Sequence, residues 1–105
     1  MAELTVIWWR DIPVQVMAQG SGRTRARVAL PDRFQEAVDL AATRVGLIGS
    51  DDYMAQYRRR SRPCGDDLGS EARDEAARLE GTYDDAALMQ LVRSGGRANG
   101  EEAER

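Results

Sequence analysis

The chain reads as an α+β domain: a three-stranded antiparallel β-meander followed by about four helices packed on and beside the sheet. Three observations support that class. Apolar residues recur with a period of two as far as Leu30, and from Pro31 the period lengthens to that of a helix and stays there to Arg93. Two turn signals, Arg10-Asp11-Ile12-Pro13 and Gln19-Gly20-Ser21-Gly22, cut the first stretch into short strands.

The first strand runs from Glu3 to Trp9. Leu4, Val6 and Trp8 alternate with Thr5, Ile7 and Trp9, so both faces are apolar, as in a strand that is central or has a second layer over it. Trp8, in register with Leu4 and Val6, is assigned to the core beneath the first helix. Trp9 points the other way and is either covered by a C-terminal helix or presented to a partner. Val14 to Met17 makes a short second strand. Arg23 to Leu30 makes the third, with Thr24, Ala26, Val28 and Leu30 on one face and Arg23, Arg25 and Arg27 on the other. The order of the strands in the sheet stays open.

Pro31-Asp32 opens the first helix, where Asp32 and Gln35 fit a capping box. Phe34, Val38, Ala41 and Val45 form its apolar stripe, and Gly46 is its stop signal. Ser50 begins a second helix, SDDYMAQYRRR, with Asp51 and Asp52 in its first turn and Arg58 to Arg60 in its last, a charge order that suits the helix dipole. Tyr53 and Tyr57 share one face of that helix. Ser70 caps a third helix reaching Leu79 or Glu80, and Thr82 with Asp85 fits a capping box for a fourth that runs through Arg93. From Gly95 on, GGRANGEEAER has no apolar anchor. Residues 95–105 are expected to form a disordered tail and residues 1–94 a single domain.

Composition narrows the function. A length of 105 residues suits one core. The net charge of −3 disfavours duplex nucleic acid as the main partner, although all 15 basic residues are Arg. The sequence has no His, the commonest general base and metal ligand, and its one Cys allows neither an intrachain disulfide nor a CxxC site. No apolar run approaches the length of a membrane span, and the N-terminus lacks signal-peptide character, so a cytoplasmic protein is expected. With no catalytic constellation, metal set or cofactor motif in view, the expectation is a protein that is not an enzyme.

The candidate contact surface is Trp9, Arg10, Arg25, Arg27, Tyr53 and Tyr57, because Trp, Tyr and Arg dominate binding hot spots. Arg23, Arg25 and Arg27 would stand about 7 Å apart along a strand. They form either a solvated face that blunts edge pairing or, with Arg10, a clamp for carboxylate or phosphate. Arg58, Arg59, Arg60 and Arg62 make the densest charge run. They serve the helix dipole, or join Tyr53 and Tyr57 in a patch for single-stranded nucleic acid. Cys64 reads as an inert thiol, and the doublets Asp51-Asp52 and Asp84-Asp85 as helix-start acids, with only Asp66-Asp67 in a loop.

Three segments, WWRDIPVQV, RFQEAVDLAATRVGLIGSDDYMAQYRR and AARLEGTYDDAALMQLVR, resemble the small bacterial family named after a conserved staphylococcal virulence factor. The resemblance spans about residues 3–93, and its most specific pieces are WRDIP and the SDDY-to-Arg block. It brings no catalytic motif. Stand-alone members of the family often lie near genes for corrinoid-dependent methyl transfer and methylenetetrahydrofolate reductase, which implies an accessory role in one-carbon metabolism. The expected function is therefore a non-catalytic accessory protein that binds a larger cytosolic enzyme, a folate or corrinoid enzyme by this resemblance. The alternative is an Arg-rich binder of anionic ligands or single-stranded nucleic acid. A homodimer through the second sheet face fits the same apolar pattern.

Overall fold

In the computed structural model, which describes residues 2–22 and 24–98, the chain forms eight elements. They are β1 (Ala2–Trp9), β2 (Ile12–Gln19), β3 (Arg25–Ala29), α1 (Asp32–Arg44), α2 (Asp51–Ala55), β4 (Tyr57–Cys64), α3 (Leu68–Thr82) and α4 (Asp85–Arg93). The α+β class holds, but the sheet has four strands in the order β3-β2-β1-β4, every neighbouring pair antiparallel.

The added strand corrects the reading of SDDYMAQYRRR as one helix. Only Asp51–Ala55 is helical, and Tyr57–Cys64 pairs along the whole of β1, from Trp9↔Tyr57 to Ala2↔Cys64. The physical reason lies in both segments. Beyond Tyr57 the chain offers no apolar residue at helical spacing to hold a helix on the core, and short helices need such packing. A meander alone would also leave the doubly apolar β1 at the edge of the sheet. β4 supplies its second neighbour.

Leu4, Val6, Val16 and Ala18 lie in register under the helices, and with Phe34, Val38, Ala41, Ala72 and Leu79 they form the core. α3 crosses β2 and β3, while α1 packs on α4. The caps differ from the expected ones in detail. Pro31 precedes α1 with no side-chain cap, so Asp32 serves the first turn by charge rather than as a capping box. Asp67 and Asp84, not Ser70 and Thr82, cap α3 and α4, accepting from the backbone N–H of Ser70 and Ala87.

Of the two alternatives for Trp9 the covered one holds, whereas Trp8, assigned to the core, reaches it only in part. Trp9 is fully buried and Trp8 only partly so. Trp8 does share a face with Leu4 and Val6. It packs against the margin of the core, with its ring edge-on to Tyr83 at 6.1 Å and the Arg60 guanidinium 5.1 Å above it. Its Nε1–H is buried with no hydrogen-bond partner among the described residues. Trp9 closes the end of the sheet. Its Nε1 donates to the Tyr53 carbonyl at 2.8 Å, Tyr53 lies against it at 5.8 Å, and Gly96 approaches its six-membered ring. Burying such a ring removes enough apolar area for about 4–6 kcal/mol of transfer free energy.

Gly95 to Ala98, assigned by sequence to the tail, are tied to the β1–β2 turn. Asp11 N–H donates to the Gly96 carbonyl and Ala98 N–H to Asp11 Oδ2, both at 2.7 Å, and Arg10 donates to the Gly95 carbonyl at 2.9 Å. Gly95 and Gly96 hold φ of 70° and 91°, conformations that glycine adopts without strain. The rest of the expected tail, 99–105, lies outside the described residues.

Candidate interaction surface

β4 is an edge strand whose six central residues, Arg58 to Pro63, are all exposed. Alternation puts Arg58, Arg60 and Arg62 on the side of Leu4, Val6 and Trp8, and Arg59 and Ser61 on the open side. Each of the first three is held by a different neighbour. Arg58 donates to Asp11 at 2.7 Å, Arg60 lies over the Trp8 ring, and Arg62 donates to Glu75 of α3 at 3.2 Å. Asp11 is itself fixed by Ala98 N–H, so the turn after β1 and the residues after α4 both support Arg58. The guanidiniums of Arg58 and Arg62 still expose 43% and 58% of their side chains, which leaves donors facing solvent.

Glu75 is the one buried charged residue among those described, at 6% exposure. Arg78 donates to both of its oxygens and Arg62 to one. The Arg78 hydrogen bonds, with the charges of Arg78 and Arg62, hold its carboxyl below the ordinary range against the opposing effect of burial. Between α3 and β4 lies a hollow of about 150 Å³, lined by Leu4, Val6, Trp8, Arg60, Arg62 and Glu75. A larger hollow of about 310 Å³ sits along α4 beside Thr82, Gln90 and Arg97 and gathers no acid–base pair.

The six residues chosen from sequence separate into two groups. Trp9, Arg10, Tyr53 and Tyr57 meet at one end of the sheet, but as an internal joint. The burial of Trp9 takes it off any contact surface. Arg10 sits at φ 53°, donates to Gln56 and to the Gly95 carbonyl, and packs over Trp9 at 5.3 Å. Tyr57, at the start of β4, meets Tyr53 edge-on at 5.8 Å, and their hydroxyls lie 3.3 Å apart. The Tyr53 hydroxyl also donates to Asp39 of α1 at 3.2 Å. Burial and these bonds push its pKa above the ordinary phenol value.

Arg25 and Arg27 lie exposed on β3, at the opposite edge of the sheet from Tyr53 and Tyr57. Neither has an ion-pair partner among the described residues. Arg23 lies outside those residues. On the open face of the sheet the cross-strand row runs Arg27, Met17, Thr5, Ser61, and the next row Ala29, Gln15, Ile7, Arg59. This face has arginine at both margins; on it Thr5 and Met17 are buried, Ile7 and Gln15 are half-buried, and Ala29 is exposed.

Cys64 ends β4. Burial and the nearby Glu71 carboxylate raise its pKa, which disfavours the thiolate. Of the acid doublets, Asp51-Asp52 opens α2, while Asp67 and Asp84 are caps. No group of three metal-ligating side chains occurs among the described residues. No helix there is long and apolar enough to cross a membrane.

Sequence reasoning missed the ordered Arg58-Arg60-Arg62 row because it placed these residues on a helix. The signal was available in β1, whose two apolar faces call for a strand on each edge. A family model described as "Virulence factor" matches residues 7–92, most of the chain. No curated protein and no solved structure matches it.

Proposed function

The chain belongs to the virulence-factor family, and from that membership we propose that it is a non-catalytic accessory protein which binds a larger protein partner through its arginine-lined sheet. The observation that carries this reading is the row Arg58, Arg60 and Arg62, each held in place by a neighbour before any partner arrives. An arginine side chain loses about 2 kcal/mol of rotamer freedom when fixed, so arginines held in advance make a better contact surface than free ones. Arg59 on the same strand and Arg25 and Arg27 on β3 extend the cationic field across the open face.

The resemblance adds a partner class: a cytoplasmic enzyme of one-carbon metabolism, methylenetetrahydrofolate reductase or a corrinoid methyltransferase. The test is affinity capture from the native cytosol with the complex mass determined. Wild-type protein should retain such an enzyme at fixed stoichiometry, and the double charge reversal Arg59→Glu/Arg60→Glu should release it. Recovery of single-stranded RNA or DNA, with binding that falls steeply as salt rises, would replace this reading with the polyanion one. A lone monomer, with no partner under any condition, would sink both.

A further inference from the structure

The β4 edge has a second property besides charge. The Gln56 carbonyl accepts from Arg10 N–H, on the β1 side of the strand. In an antiparallel ladder the peptide groups of alternate residues face the same way. Arg58, Arg60 and Arg62 therefore turn theirs toward β1, and Tyr57, Arg59 and Ser61 turn theirs outward. Pro63 falls in the outward set, where its missing N–H costs the ladder nothing. Arg59 and Ser61, both exposed, thus present unpaired backbone donors and acceptors to solvent.

Resting on the partner-binding reading above, we infer that this edge takes an extended acidic segment of the partner as a fifth strand, antiparallel or parallel to β4. The added strand bonds to the outward peptide groups of Arg59 and Ser61. Its alternate side chains repeat at the same spacing of about 7 Å as Arg58, Arg60 and Arg62. Carboxylates at every second position then meet the held guanidiniums, and one on the other face meets Arg59. Opposite charges across strands favour such a pair, and like charges oppose it.

A second copy of β4 is a poor occupant for that reason, since it sets arginine against arginine. The charge that keeps copies apart selects an acidic strand. The other edge is a weaker candidate. β3 has five residues, and both of its arginines, Arg25 and Arg27, lie on the open face, with Ala26 and Val28 half-buried beneath α3.

The test uses the whole protein and two fluorescein-labelled eleven-residue peptides of identical composition (about the reach of the strand). In one, Glu alternates with Thr; in the other, the Glu residues are in one block. The alternating peptide should bind at least tenfold tighter, and it should slow hydrogen exchange of the Arg59 and Ser61 amides. Ser61→Pro removes an outward N–H and should lose at least tenfold, whereas Ser61→Ala, which sacrifices the same side-chain bond to Thr5, should stay within twofold. The exchange measurement on wild-type protein stands even where Ser61→Pro folds poorly. Equal binding of both peptides with unchanged exchange at Arg59 and Ser61 would overturn strand addition and leave the cationic surface in place. Failure of both peptides to bind at low salt would overturn the two readings together.

Discussion

Gly96 stands so close to Trp9 that a β-carbon on it would lie 2.7 Å from the ring's Cζ3. This contact, at a φ of 91°, joins the residues after α4 to the end of β1. Gly96→Ala should therefore combine left-handed strain with a clash, and lower stability by about 2–5 kcal/mol. Gly81 near the end of α3 has open space around it, so Gly81→Ala should raise stability by about 0.5–1 kcal/mol. Denaturant midpoints of the two variants would move in opposite directions. Equal shifts would contradict the Trp9–Gly96 contact.

Arg10 looked from sequence like a contact residue and is instead a brace between Gln56, Gly95 and the Trp9 ring. Arg10→Ala should lower stability by about 2 kcal/mol, given hydrogen bonds from a charged donor. It should leave binding of acidic probes within twofold. Reversing Arg59 and Arg60 should do the opposite. A binding loss in Arg10→Ala without a stability loss would return it to the contact surface.

Glu75 makes stability depend on acid. Its folded-state pKa is depressed, so its contribution is present above the ordinary carboxylate range and is lost as pH falls through the lowered value. Glu75→Gln should cost about 1–2 kcal/mol at neutral pH, a modest sum because Arg62 and Arg78 can turn to water. The gap between variant and wild type should narrow steadily below about pH 4. A gap that stays constant with pH would mean that the carboxylate charge is not what the fold uses.

At alkaline pH the sign reverses. Tyr53, held by burial and its bonds to Tyr57 and Asp39, and Tyr83, held chiefly by burial, both have raised pKa values. Each favours the fold while its phenol is neutral. That contribution is full below about pH 10 and disappears as pH climbs through the folded value. Tyrosinate absorbance of the native protein should lag behind that of the unfolded chain, and the denaturation midpoint should fall above about pH 10. Coincident titration curves would refute both assignments.

Much of this architecture was legible in the alternation of Leu4 to Trp9 and the helical stripes from Phe34 onward, because burial imposes those periods. β4 was hidden for a physical reason. An edge strand whose side chains meet solvent on both sides has no apolar alternation to display, and Arg is a good helix former. What covers Trp9 was hidden too, since it depends on the Tyr53 carbonyl and ring and on Gly96, far along the chain. Of the site, Arg25 and Arg27 were correctly seen as exposed on one strand face. The row Arg58, Arg60 and Arg62 needed Asp11, Trp8 and Glu75 brought together, which no local pattern records.

The sheet order has a consequence for the chain while it is being made. Synthesis delivers β1, β2 and β3 first, and for that interval β1, apolar on both faces, forms one margin of an unfinished sheet. Its unguarded side is closed only when Tyr57 to Cys64 follow, and four of the eight residues of the margin that replaces it are arginine. The nascent chain thus passes from its most adhesive form to a self-repelling one in a single pairing event. A ribosome stalled between Leu30 and Tyr57 holds this protein at its greatest risk of sticking to its neighbours.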